Sequence, residues 1–297
     1  VHAPVPSQIA VDCDVNASAG FGSGLTGLFG HTLTLTIGLP LIGGLNAKQL
    51  AGIIAHELGH FSQGAGMRLS YVIRSTNAWF ARLVYERDNF DETLKDWGEA
   101  NNIAGAIIYV AYGGIMITRG VLWVLMMTGH ILSCFLIRRM EYDADRSEAR
   151  LVGARVYEST GYRLAILTAA QMKAAEIVHD CWLKDTYPDD FSALVVGLAE
   201  RMSDRDRDDA ECDLVEETTG LFDDHPSFSD RLASVQLENA KGVFRLDLPA
   251  TDIFRAKPKL AEAASLDMYR TILGRGLRPH EYRPAKEYLR RERRDRE

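Results

Sequence analysis

The feature that most limits what this chain can fold into is a long stretch with almost no charge. Ile103 to Thr118 carries none, Arg119-Gly120 interrupts, Val121 to Ile137 again carries none, and Arg138-Arg139 ends the run. Two apolar runs joined by a short polar break predict a helical hairpin over about 103–137. Each arm would be about 25 Å long, slightly short of a bilayer core of about 30 Å. Both arms are apolar all round, which favours lipid over a half-exposed surface. The competing reading is a hairpin buried in the core of the protein or of a larger assembly.

The rest of the composition is that of a globular protein. With 297 residues, 46% of them hydrophobic and 25% charged, the chain can build one large domain or a core domain with an appended lobe. Its net charge of -7, without a basic stripe interleaved with aromatics, excludes nucleic acid as a partner class. The charge-dense tail from Arg283 to Glu297 alternates in sign and reads as a solvated helix end. Cys13, Cys134, Cys181 and Cys212 are scattered with no CxxC pair, as free thiols in a reducing compartment would be. The chain opens on Val1 with no visible signal peptide and reads as a fragment of a longer protein.

Periodicity places the remaining elements. Gln8 to Val15 and Thr32 to Ile37 alternate as strands do, and either could offer an edge to an extended substrate. The Gly-rich run Gly20 to Gly30 between them lacks the spacing and the Lys of a phosphate-binding loop and reads as a connection. Asn46 is a good N-cap for a helix whose apolar positions are Leu50, Ile53, Ile54 and Leu58, with the pattern continuing to about Trp97. Arg139 to Lys173 predicts a further helix, Asp204 to Glu217 an acidic, loop-rich stretch, and Leu260 to Leu273 another helix. His130, inside the apolar run, reads as a satisfied core histidine.

The chemistry concentrates in His56-Glu57-Leu58-Gly59-His60. On a helix, positions i and i+4 face the same way, so both imidazoles can reach one tetrahedral zinc ion. Glu57 beside them can take a proton from a water activated by that ion. A third protein ligand is needed, and Glu141-Tyr142-Asp143-Ala144-Asp145 supplies two carboxylates one turn apart. One can bind the metal while the other accepts a hydrogen bond from the far nitrogen of a ligating histidine. A zinc-stabilised scaffold or chaperone-like module without turnover is the rival from another class. Glu57 speaks against it, because a structural site has no use for a base there.

These segments, together with the later His225-Pro226-Ser227-Phe228-Ser229-Asp230-Arg231, resemble the M48 family of zinc peptidases, which includes HtpX-type and CAAX prenyl-type membrane proteases. The family shows HExxH, then an ExxxD motif, then HP with an Arg six residues after the His, and hydrophobic segments between the first two in its membrane members. The resemblance covers about residues 8–235. It implies an α+β, mainly α-helical fold: a zincin-like core (1–235) with a small N-terminal β-sheet, the apolar hairpin inserted, and a C-terminal helical extension (236–297). It also implies a zinc-dependent endopeptidase acting on polypeptides in membrane-associated quality control or processing. His56, His60 and Glu141 would hold one Zn2+, Asp145 would orient a histidine, most simply His56, and Glu57 would be the general base. His225 and Arg231 match the family's pair near the metal and are the candidates for holding the oxyanion, while His225 could instead occupy the fourth zinc position in a resting state. Both zinc motifs flank the hairpin and so share one side. Arg68, Arg74, Arg82, Arg138 and Arg139 outnumber Arg119 at its tip, so if the hairpin spans a membrane the active site faces the cytoplasm; with the hairpin buried in protein, the alternative localisation is cytoplasmic.

Overall fold

The computed structural model describes residues 5–21, 33–62, 75–76, 78–82, 103–182, 185–254 and 257–296. The chain divides into two compact units, one of Val1–Ser62, Tyr142–Thr218 and Ser227–Glu297, the other of Gln63–Glu141 and Thr219–Pro226.

The first unit opens on strands β1 (Gln8–Asp12), β2 (Ala17–Phe21) and β3 (Leu33–Gly38), in the order β1-β3-β2. β1 runs parallel to β3, with Ile9 opposite Leu35, and β2 runs antiparallel to it, with Ala19 opposite Leu35. The alternation of β3 is that of a half-buried strand: Leu33, Leu35 and Ile37 are buried while Thr34 and Thr36 are half-buried. Because β3 is paired on both sides, its backbone offers no edge, and of the two segments proposed for substrate pairing only Gln8–Asp12 remains. Gly38 closes the strand where a Cβ would lie 1.7 Å from the Asp14 carbonyl oxygen, so no other residue fits.

Helix α1 (Leu39–Gly44) follows directly, then α2 (Ala47–Ser62). Asn46 caps α2 reciprocally: its Oδ1 accepts from the Gln49 amide at 3.0 Å and Gln49 Oε1 accepts from the Asn46 amide at 3.1 Å. Most of the expected continuation towards Trp97 lies outside the described residues.

Helix α3 (Ile103–Val152) overturns the expected hairpin. It is one continuous helix of 50 residues, about 75 Å long. Arg119-Gly120 is polar but carries no turn chemistry: there is no proline anywhere in the helix, and a lone interior Gly costs only about 1 kcal/mol relative to Ala. What ends α3 is Gly153, at φ +92°, so the helix expected over 139–173 is in fact two. The second is α4 (Ala154–Trp182).

The core of the first unit lies where α1, α2, α4, α5 (Phe191–Glu200) and the sheet meet, with Leu41, Leu167, Leu194 and Val195 fully buried. Each such side chain contributes about 1.5–3 kcal/mol. The acidic run is a helix, α6 (Asp204–Glu216), not a loop. Ser203 Oγ accepts from the Asp206 amide, and Asp204 and Asp206 lie in its first turn, where the helix dipole favours negative charge. Then come α7 (Phe228–Glu238), α8 (Lys257–Leu273) and α9 (Ala285–Arg296). The last two join the same core through Ala261, Tyr269, Tyr288 and Leu289.

In the second unit the described structure comprises residues 75–76 and 78–82, the α3 length up to Glu141 and the segment 219–226 lying on it. Among the described residues α3 is the one helix long and apolar enough to cross a membrane. His130 is exposed rather than in the core, and its ring stacks on Phe222, centroid to centroid 6.0 Å.

Candidate metal centre

In the first unit, α2 and the Tyr142–Val152 end of α3 pack antiparallel and very close. A Cβ at Gly59 would sit 3.2 Å from the Ala144 Cα, and one at Gly52 would sit 2.8 Å from Glu148 Oε1. Two small positions on one face of α2 therefore let the helices approach, and His56 lies between them.

His56 Nδ1 stands 3.1 Å from Asp145 Oδ1, and the Asp145 side chain has no solvent exposure. The same carboxylate accepts from Arg231 Nε at 3.0 Å and Nη2 at 2.7 Å, a fork-to-fork pair. Burial works to raise the Asp145 pKa, but the hydrogen bonds from His56 and Arg231 outweigh it and hold the carboxyl below its ordinary value. An ionised Asp145 fixes the proton of His56 on Nδ1 and leaves Nε2 with its lone pair outward.

That Nε2 lies 3.3 Å from His60 Nε2, with the two rings edge to face at 88°. Two nitrogens bound about 2.05 Å from one zinc ion at the tetrahedral angle stand about 3.3 Å apart. The imidazole pair is spaced as a zinc ion would require. Glu57, between them in sequence, is half-buried on the same helix.

Arg231 is delivered by the first turn of α7, which Ser227 caps by accepting from the Asp230 amide. Phe228 fastens that turn to α4, its ring parallel to Tyr157 with centroids 6.2 Å apart. In the second unit, Glu141, one turn before Asp145 on α3, is buried, and His225 Nδ1 lies 3.3 Å from its Oε1. The His225 side chain is 64% exposed.

Sequence reasoning missed Glu148 and Tyr157. Glu148 is buried, with Oε2 3.9 Å from His56 Nδ1, and burial pushes its pKa up to about 7 against the opposing pull of His56. A signal for it existed, since Glu141, Asp145 and Glu148 follow at i, i+4 and i+7 on one helix face. Tyr157, also buried, feels the charge of Asp145, and no spacing rule could have linked a residue on the next helix to it.

No curated protein and no solved structure matches the chain. The profile of Peptidase family M48, a family of metal-dependent peptidases, matches residues 5–239. The HExxH helix, the ExxxD helix and the HP…R turn all fall within that span, and the chain belongs to peptidase family M48.

Proposed function

We propose that this metallopeptidase is a zinc-dependent endopeptidase in which His56, His60 and Glu141 hold one zinc ion. The observation that carries the proposal is the 3.3 Å approach of the two Nε2 atoms with His56 oriented from behind by Asp145. The Glu141 assignment is supported by its chemistry: a carboxylate is a donor suited to the ion that two imidazoles bind.

When bound, zinc polarises the scissile carbonyl and acidifies a water. Glu57 takes the proton of the attacking water and hands it to the leaving amine. Asp145, itself gripped by Arg231, keeps His56 in one tautomer and orientation. Arg231, with two nitrogens on Asp145, is a positioning residue, and the oxyanion donor falls to the exposed His225. Edge strand β1 offers a place for extended substrate.

The peptidase domain takes residues 1–235, with 236–297 an extension whose helices complete the core. The apolar length of α3 enters a membrane, and with Arg138 and Arg139 at its catalytic end the active site faces the cytoplasm. This suits quality control or processing of membrane proteins. The test is metal analysis of the purified chain with casein cleavage by wild type and Glu57→Gln. The variant should keep its zinc and lose hydrolysis. Loss of zinc with normal folding would overturn the role of Glu57.

A further inference from the structure

We infer that Gly220–Asp224 is an interfacial finger that rests on the bilayer surface, its Leu221-Phe222 tip at the boundary between headgroups and acyl chains. The inference depends on the proposed entry of α3 into a membrane.

The finger is built against one face of α3, where His130, Cys134, Arg138 and Glu141 recur at helical spacing. At its base, Arg138 Nη1 donates to the Gly220 carbonyl at 2.7 Å, and His225 returns to Glu141. At its tip, Cys134 Sγ donates to the Phe222 carbonyl at 3.3 Å and Phe222 stacks on His130. The turn is tightened by Asp223, whose Oδ2 accepts from the Gly220 amide at 2.6 Å. The segment therefore runs from the catalytic end of α3 towards its apolar length and back. Leu221 and Phe222 are nonetheless 57% and 49% exposed. A soluble protein has little reason to hold two large apolar side chains outward on a braced turn.

A bilayer fits better than a protein partner. Around the same stretch of α3, Val121, Trp123, Val124, Leu125, Leu132 and Phe135 are all exposed. At 100° per residue they spread over roughly 200° of the circumference, more than one packed helix or a second copy covers. The tip is apolar, while the base carries Asp223 and Asp224 and meets Arg138, the order of chemistry found across a lipid headgroup layer. Asp223 and Asp224 cannot enter hydrocarbon, so the finger also fixes where the bilayer ends, near His130.

The test uses the full chain with Cys212→Ser, which removes the exposed thiol, and one added cysteine carrying a polarity-sensitive fluorophore. The labels go at Leu221→Cys, at Val124→Cys on α3, and at Leu237→Cys on α7 as an aqueous control. The protein is reconstituted into vesicles of phosphatidylcholine and phosphatidylglycerol bearing lipid nitroxides at shallow or deep positions. The label at 221 should blue-shift and lose more intensity to the shallow nitroxide than to the deep one, and that at 124 should be quenched too, with that at 237 unaffected. Quenching at 124 with none at 221 overturns the finger and leaves the membrane reading standing. A blue shift at 221 without lipid quenching assigns the tip to a protein partner instead and also overturns it. Quenching at neither position overturns both readings.

Discussion

Arg231→Met tests the positioning network most directly. The Asp145 carboxylate is fully buried and takes two hydrogen bonds from Arg231, at 3.0 and 2.7 Å, beside its contact with His56. Methionine keeps the stem and removes both donors together with the charge. Breaking a buried ion pair by deleting one partner costs about 3–5 kcal/mol, because the remaining charge is left uncompensated. Arg231 keeps 24% side-chain exposure, so the lower end, about 3 kcal/mol, is expected here. Urea unfolding of the metal-free protein in mild detergent, followed by far-UV circular dichroism, reads this without interference from metal linkage. Arg231→Lys retains the charge without the fork and should recover about half of the loss. Paired with Asp145→Asn, the second change should cost far less than it does alone, since no buried charge is then stranded. The pH dependence has a fixed sign. Asp145 titrates below its ordinary value, so its stabilisation is present above about pH 4 and fades as pH falls through the lower folded value. Arg231→Met should move that fading to higher pH. A cost under about 1 kcal/mol, or simple additivity with Asp145→Asn, would refute the reasoning.

Glu141→Ala should bind zinc far more weakly, measured by competition with a chromophoric chelator; unchanged affinity would give the third ligand to another residue. His225→Ala should lower kcat roughly 100-fold at nearly constant zinc content. Wild-type turnover would leave His225 as a partner of Glu141 and nothing more. Glu148 is held protonated up to about pH 7, so the folded metal-free protein binds more protons than the unfolded chain between about pH 4.5 and 7, and stability falls as pH rises through that window. Glu148→Gln should flatten that fall in urea midpoints compared at pH 5 and 8, and an unchanged slope would show that another group causes it.

What the sequence made legible is whatever rests on local spacing. The two histidines at i and i+4, the carboxylates at 141 and 145, the Asn46 cap and the alternation of β3 all follow from the period of one element. The errors arose where polarity was taken for geometry. Arg119-Gly120 and the acidic run 204–216 both look like breaks, yet each is helical, because charge on a helix surface costs little and neither stretch contains a proline. Gly153, which does end a helix, is indistinguishable in sequence from the glycines that do not. Tyr157 and the fork of Arg231 on Asp145 are tertiary, fixed by where α4 and α7 pack.

The continuity of α3 turns it into a measuring rod. A hairpin tip would have left the depth of the metal centre free to vary with two joints. An unbroken helix instead fixes Glu141 eleven residues beyond His130, about 16 Å along the axis. If the bilayer ends near His130, as proposed, an extended polypeptide needs about five residues to climb that height. A bond closer than this to its own membrane anchor would fall short of the metal unless the anchor is pulled out. Selection among membrane-anchored substrates would then follow the length of the stalk that carries the bond.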